Sequence, residues 1–173
     1  QVAHPHCREN DWWNLCQWRL SFSRAETVLL NTWSPVQQLV YHMLRVFRTS
    51  IQVGNDKSVI KRYHIKTLMM WMCESLSPEW WNSHCVVNIC TQLLHEFAER
   101  LKSTRFAMYF VPECNLNDSI ERSDTFQSSI ETLFNVTDES ISVWFVDVYI
   151  RKFVSQFPLG SSLLNDIRTS RDL

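Results

Sequence analysis

Glycine is the residue type that this sequence most clearly lacks. Only two glycines occur among the 173 residues, Gly54 and Gly160, although an average usage of about 7% predicts roughly twelve. A phosphate-binding loop or a dinucleotide-binding fingerprint needs several glycines close together, because the backbone has to approach the phosphates. Both kinds of glycine-rich site are therefore excluded.

Long apolar runs, closely spaced cysteines and an excess of charge of one sign are missing too. No stretch of about 18 apolar residues predicts a membrane-spanning helix. The six cysteines contain no CxxC pair, so we interpret them as reduced thiols of an intracellular protein. With a net charge of −1, the chain as a whole does not attract nucleic acid or an anionic membrane. Because the first residue is Gln1 and not methionine, we expect a piece of a longer protein.

The sequence does contain many aromatic residues, with ten Phe and eight Trp, in an overall apolar fraction of 45%. Their spacing and the helix-capping signals predict a mostly α fold, a helical bundle with short extended segments. The predicted helices are 23–31, 35–49, 60–76, 83–102, 124–134 and 138–153. We expect one domain over 18–157, preceded by an irregular segment 1–17 and followed by a tail 158–173. The helix over 60–76 is apolar all round in its middle, which predicts a central position.

Two extended segments are predicted, over 18–23 and 109–112. In the first, apolar and polar residues alternate, so Trp18, Leu20 and Phe22 share one edge. Arg19, Ser21 and Ser23 share the other edge and form a row of hydrogen-bond donors.

The start of the helix over 60–76 is a second segment with binding potential. Lys61, Arg62 and Lys66 bring positive charge to free backbone N–H groups, an arrangement that favours an anion such as a triphosphate. Tyr63 adds a flat face on which a base can stack. A solvated helix start is the alternative interpretation, and the spacing alone does not decide between them.

No catalytic residue and no metal ligand is assigned, since the chain has neither a GxSxG nor an HExxH motif. Four side chains near the first residues are of the types that bind zinc: His4, His6, Cys7 and Cys16. Their spacing matches no common structural zinc pattern, and a solvated polar segment is the alternative interpretation. Cys90 lies in the apolar stripe of its helix, which predicts a core position.

Four blocks of sequence resemble the male-abnormal-21 family, which includes cyclic GMP-AMP synthase and the cGAS-like receptors. They occur in the same order and at similar separations over about residues 17–117. The blocks are 18–26 (WRLSFSRAE), 63–67 (YHIKT), 73–74 (CE) and 109–116 (YFVPECNL).

The resemblance implies a bilobed nucleotidyltransferase of which this chain is the C-terminal helical lobe, similar to a helix-hairpin-helix domain. It implies that Arg19, Ser21 and Ser23 contact nucleotides and that Tyr63 stacks on a base; Arg62 and Lys66 complete the expected nucleotide-binding set. An N-terminal catalytic lobe of the same protein would hold magnesium or manganese. The implied substrates are ATP and GTP, and the implied product is a cyclic dinucleotide messenger of innate immunity. This chain alone would not catalyse.

Two other functions fit the same sequence. One is a catalytically inactive family member that binds nucleotide or RNA as a regulator, and the other is a helical protein-interaction domain. The family's zinc-binding insertion would fall between Asn31 and Val36 and is absent, which disfavours double-stranded DNA. Double-stranded RNA remains a candidate partner through a weaker set of cations, Arg45, Arg48, Lys57 and Lys61. We expect a cytoplasmic or nuclear location and no membrane partner.

Overall fold

The computed structural model describes residues 2–5, 18–51, 60–103, 105–120 and 122–151. Within them the fold is mostly α, as predicted. The α-helices are α1 (Ser23–Asn31), α2 (Pro35–Ile51), α3 (Arg62–Ser75), α4 (Val86–Lys102), α5 (Asp124–Phe134) and α6 (Asp138–Trp144). Three short 3₁₀ turns cover Pro78–Trp80, Ser83–Cys85 and Leu116–Ser119. None of the helices in these ranges is both long and apolar enough to cross a membrane.

The described part of the first 21 residues forms a two-stranded antiparallel sheet. Strand β1 (Val2–Pro5) pairs with strand β2 (Trp18–Ser21), with Val2 opposite Ser21. The extended prediction for 18–23 is confirmed for 18–21 and wrong for Ser23, which begins helix α1. The irregular prediction is wrong for 2–5, because the hydrogen bonds of the partner strand stabilise a strand that has no alternating pattern. Residues 6–17, and with them His6, Cys7 and Cys16, lie outside the described residues, as does the predicted tail.

Helix α2 begins where its capping signals predict. The Ser34 N–H donates to Gln37 Oε1 at 2.8 Å, and the Gln37 N–H donates to Ser34 Oγ at 3.3 Å. This reciprocal capping box satisfies two N–H groups that have no partner inside the helix. Two apolar residues of α2, Val40 and Leu44, are buried, whereas Leu39 is 39% exposed.

Helix α4, and not α3, lies at the centre of the described bundle. It packs against α2, α5 and α6, and its apolar stripe is almost completely buried: Ile89, Cys90, Leu93, Leu94, Phe97, Ala98 and Leu101. Among the described helices, α3 packs mainly on α2. The prediction that α3 is central is therefore wrong.

The apolar middle of α3 is covered on one side by a loop. Trp71 is half-buried, its Nε1–H donates to the carbonyl of Ala107 at 3.1 Å, and its ring meets Tyr109 edge-on with centroids 5.1 Å apart. The loop is bent at Tyr109 and Phe110 and makes an isolated bridge between Ala107 and Asn115. The extended prediction for 109–112 is thus also wrong, and aromatic side chains of a loop take the place of a neighbouring helix.

The last two helices follow their capping residues. Ser123 Oγ accepts from the Phe126 N–H at 3.3 Å, and Thr137 Oγ1 accepts from the Ser140 N–H at 3.2 Å. The predicted bounds of α5 are confirmed. The helix predicted over 138–153 changes after α6 into a π-helix over Phe145–Ile150, in which Val148 is 42% exposed. Its predicted last residues, 152 and 153, lie outside the described residues.

Candidate functional site

The two segments with predicted binding residues are linked by an ion pair between α1 and α3. Lys66 Nζ lies 2.7 Å from Glu26 Oε2, an ion pair that joins residues 40 positions apart. We call the surface formed by Ser21, Ser23, Glu26, Tyr63 and Lys66 the α1–α3 face.

The start of α1 fixes the two serines of this face. Phe22 occupies the N-cap position of α1, and its carbonyl accepts from the Glu26 N–H at 2.8 Å. The Phe22 ring stacks on Phe110 with centroids 4.9 Å apart. Ser21 Oγ donates to Ser23 Oγ at 3.2 Å, so the two hydroxyls lie together at the end of β2.

Tyr63 and Lys66 lie one turn apart on α3 and therefore share a helix face. Tyr63 is half-buried and packs against the hydrophobic core. Of the cations expected at this helix start, Lys66 is partly buried and paired with Glu26, while Lys61 and Arg62 are exposed. For Arg19 the structure describes the backbone, which lies in β2 opposite His4.

The other predicted cations gather at the junction of α2 and α3. Arg45 lies over the Tyr41 ring at 5.3 Å from its centroid. Burial, followed by the charges of Arg62 and Arg45, lowers the pKa of Arg48, which indicates that the three guanidinium groups are neighbours. Lys57 lies outside the described residues.

Arg48 is buried in a contact within the fold, whereas a residue that binds nucleic acid is expected to be exposed. It is 7% exposed, and its Nη1–H donates to the carbonyl of Ile60 at 2.7 Å. The expectation that Arg48 faces a polyanion does not fit this burial, because its guanidinium is used to join α2 to the residue before α3.

His64 stabilises the first turn of α3 from inside the core. Its Nδ1 accepts from the Lys61 N–H at 3.1 Å, and the ring is 2% exposed and stacks near Phe106. Burial, with smaller contributions from Lys61 and Arg48, lowers the pKa of His64 to about 4. The neutral ring therefore acts as a hydrogen-bond acceptor at neutral pH.

The residue of this face that was not predicted as a site residue is Glu26. A glutamate on the first turn of a short helix is ordinary, and its partner Lys66 lies 40 positions further along the chain. No local spacing relates the two residues, so only the tertiary structure reveals the pair. A buried carboxylate at 9% exposure is stabilised by such a partner.

Metal-ligating and thiol side chains add no second site in the part of the chain that the structure describes. There, no group of three or more His, Cys, Asp or Glu side chains could hold a metal ion. Cys90 is 1% exposed, and burial raises its pKa to about 12, which confirms the predicted core position.

Comparison with known proteins supports the resemblance. Residues 32–133 match the family model of the Mab-21 protein HhH/H2TH-like domain. The chain is 32% identical over 84 residues to a protein named mab-21-like 3 of Danio rerio, an alignment that covers 46% of this chain and 22% of that protein. The alignment thus spans about a fifth of the relative's length. No solved structure matches the chain.

Proposed function

This chain belongs to the Mab-21 family, and on that basis we propose that it is the helical, nucleotide-contacting part of a nucleotidyltransferase-fold protein related to the cGAS-like enzymes. The observation that carries the proposal is the Lys66–Glu26 ion pair at 2.7 Å. This ion pair links α1, which follows Ser21 and Phe22 in the chain, to α3, which carries Tyr63.

The groups on this face suit a nucleoside triphosphate. The Tyr63 ring offers a stacking surface, and stacking of a base on an aromatic side chain contributes about 1–3 kcal/mol. The Ser21 and Ser23 hydroxyls both donate and accept hydrogen bonds. Arg62 is exposed at the start of α3, where a phosphate gains from the helix dipole. With Glu26 as its partner, Lys66 holds the two helices together and orients the carboxylate.

The proposal assigns phosphoryl-transfer chemistry to another part of the full-length protein. There, magnesium or manganese would be bound by carboxylates of an N-terminal catalytic lobe, and ATP and GTP would be joined into a cyclic dinucleotide that acts in innate immune signalling. In that arrangement Arg19, Ser21 and Ser23 contact the nucleotides from the helical side.

Replacement of Tyr63 by alanine tests the proposal. We expect Tyr63→Ala to weaken ATP and GTP binding about fivefold to a hundredfold, from the loss of stacking, and Tyr63→Phe to keep most of the affinity. Isothermal titration calorimetry measures both, with circular dichroism to establish that each variant is folded.

Phe134→Ala is the matched control, because it removes another half-buried ring, on α5. It should leave nucleotide affinity unchanged. Wild-type affinity in folded Tyr63→Ala, or an equal loss in Phe134→Ala, would contradict a stacking role for Tyr63.

A second candidate, an RNA-binding regulatory protein, is favoured by the cations at the α2–α3 junction. Lys61 and Arg62 are exposed, and Arg45 is close enough to Arg48 to lower its pKa. Such a local concentration of positive charge attracts a polyanion even when the whole chain is nearly neutral.

A further inference from the structure

A pocket beside α1 shares Ser21 with the α1–α3 face but none of the other residues of that face. It encloses about 540 Å³ between α1 and the loop at Tyr109 and Phe110. The lining from α1 recurs at helical spacing, at Arg24, Ala25, Val28 and Leu29. Ser21 and Phe22 before the helix and Thr32 after it also line the pocket, and Glu26 is not part of the lining. The volume is within the range of about 300–1,000 Å³ that is typical of small-molecule sites.

The walls of the pocket are apolar, and contacts between aromatic rings hold them in position. Phe22 and Phe110 stack at 4.9 Å, and Tyr109 meets Phe110 edge-on at 5.1 Å. Burial, followed by the interaction with the Glu74 side chain, raises the pKa of Tyr109. Val28 is 62% exposed, a large apolar side chain whose burial by a ligand would be favourable.

The charge in the described lining of the pocket is positive. Arg24 lines it, and the described lining includes no carboxylate. Across the described ranges, Arg24 also takes part in none of the ion pairs, which involve Lys66, Arg100 and Arg151. Arg24 lies in the first turn of α1, where the helix dipole also favours negative charge.

We propose that this pocket binds a small amphipathic anion, with an aromatic or aliphatic body against Val28 and the two stacked phenyl rings and a single sulfonate, carboxylate or phosphate group at Arg24. This inference rests on the pocket alone and does not depend on nucleotide binding. Binding would cover the exposed face of α1.

Titration of the full 173-residue chain with 1-anilinonaphthalene-8-sulfonate, followed by its fluorescence, tests the proposal. We expect saturable binding to one site. Val28→Trp should weaken it at least about tenfold by filling the pocket. Arg24→Gln should weaken it about fivefold, as expected for an exposed ion pair, and Arg24→Lys should retain most of the affinity.

Two controls separate pocket binding from general adhesion of the dye. Val143→Trp makes the same substitution at another exposed valine, 43% exposed on α6, and should leave the affinity unchanged. The uncharged analogue N-phenyl-1-naphthylamine should bind about fivefold more weakly and be insensitive to Arg24→Gln.

Wild-type affinity in Val28→Trp, or an equal loss in Val143→Trp, would overturn the pocket as the site. Equal affinity of the charged and uncharged dyes would overturn the anion. These variants spare Tyr63, so the outcome is distinct from that of the nucleotide experiment.

Discussion

His64 shows how a single buried side chain makes the fold sensitive to pH. Its pKa of about 4 in the folded state lies below the value of about 6.5 expected in the unfolded chain. Above pH 6.5 both states are neutral and the full stability is present. As the pH falls through 6.5 toward 4, the unfolded state takes up a proton that the folded state does not, so the free energy of unfolding decreases.

We therefore predict that the free energy of unfolding falls by about 2 kcal/mol between pH 7.5 and pH 5 because of His64. His64→Asn should remove this part of the pH dependence, since the asparagine Oδ1 can replace Nδ1 as acceptor for the Lys61 N–H but does not titrate. Urea denaturation at several pH values measures the difference.

The exposed His84 provides the comparison for this experiment. His84→Asn should leave the pH dependence of wild type unchanged over the same range. The burial argument fails if His64→Asn and wild type lose stability in parallel as the pH is lowered.

At the scale of elements, the end of α4 depends on a side chain from the 3₁₀ turn over Leu116–Ser119. Asn117 is 8% exposed, and its amide donates to the carbonyls of Arg100 at 3.0 Å and Ser103 at 2.9 Å. The last carbonyls of a helix have no partner within it, so Asn117 supplies hydrogen bonds that the central helix cannot make for itself.

We predict that Asn117→Leu, which keeps the size but loses the donors, lowers the free energy of unfolding by about 2–3 kcal/mol. Chemical denaturation measures the loss. Asn88→Leu is the matched control, because Asn88 is exposed on the same helix and bonds to Asp138 at 3.2 Å; it should cost less than about 1 kcal/mol. A similar cost for both variants would show that the bonds at the end of α4 contribute little.

The elements that were predicted well are those whose signals are local. Two helix caps are hydrogen bonds between residues three apart, Ser34 with Gln37 and Thr137 with Ser140. Both partners of each bond therefore lie within one short stretch of sequence. Strand β1 was missed because its partner, β2, begins 13 residues after Pro5. The position of α3 was misjudged because its cover, the loop around Tyr109, cannot be recognised from the composition of α3.

The same distinction applies to the candidate site. The sequence predicts Ser21 and Ser23 on one extended edge and Tyr63 and Lys66 at one helix start. In the structure Ser21 ends β2 and Ser23 begins α1, and an ion pair links α1 to α3. The contact between them runs through Glu26, whose partner is 40 positions away. Tertiary packing also removed Arg48 from the surface, since burial against Ile60 depends on how α2 approaches α3.

At the scale of the whole molecule, a net charge of −1 conceals a local separation of charge. Lys61 and Arg62 are exposed beside Arg45 and the buried Arg48, whereas Lys66 is neutralised by Glu26. The field of this junction extends only about 8–10 Å at physiological salt, so it acts on a ligand in contact with it. Duplex RNA, with closely spaced phosphates, is the ligand for which such a cluster is most effective.

We predict that a duplex RNA of about 20 base pairs binds through this junction with an affinity that falls as salt rises, since phosphate contacts release counterions. Lys61→Gln and Arg62→Gln should each weaken binding and each reduce the slope of log affinity against log salt by roughly 1. Lys102→Gln removes the same charge from an exposed position at the end of α4 and should leave the slope unchanged. Fluorescence anisotropy at several salt concentrations measures all of these. If Lys61→Gln and Arg62→Gln have the same slope as wild type, as Lys102→Gln should, the cations at the α2–α3 junction only solubilise the chain. The RNA-binding candidate is then excluded, and the nucleotide proposal at Tyr63 is unaffected.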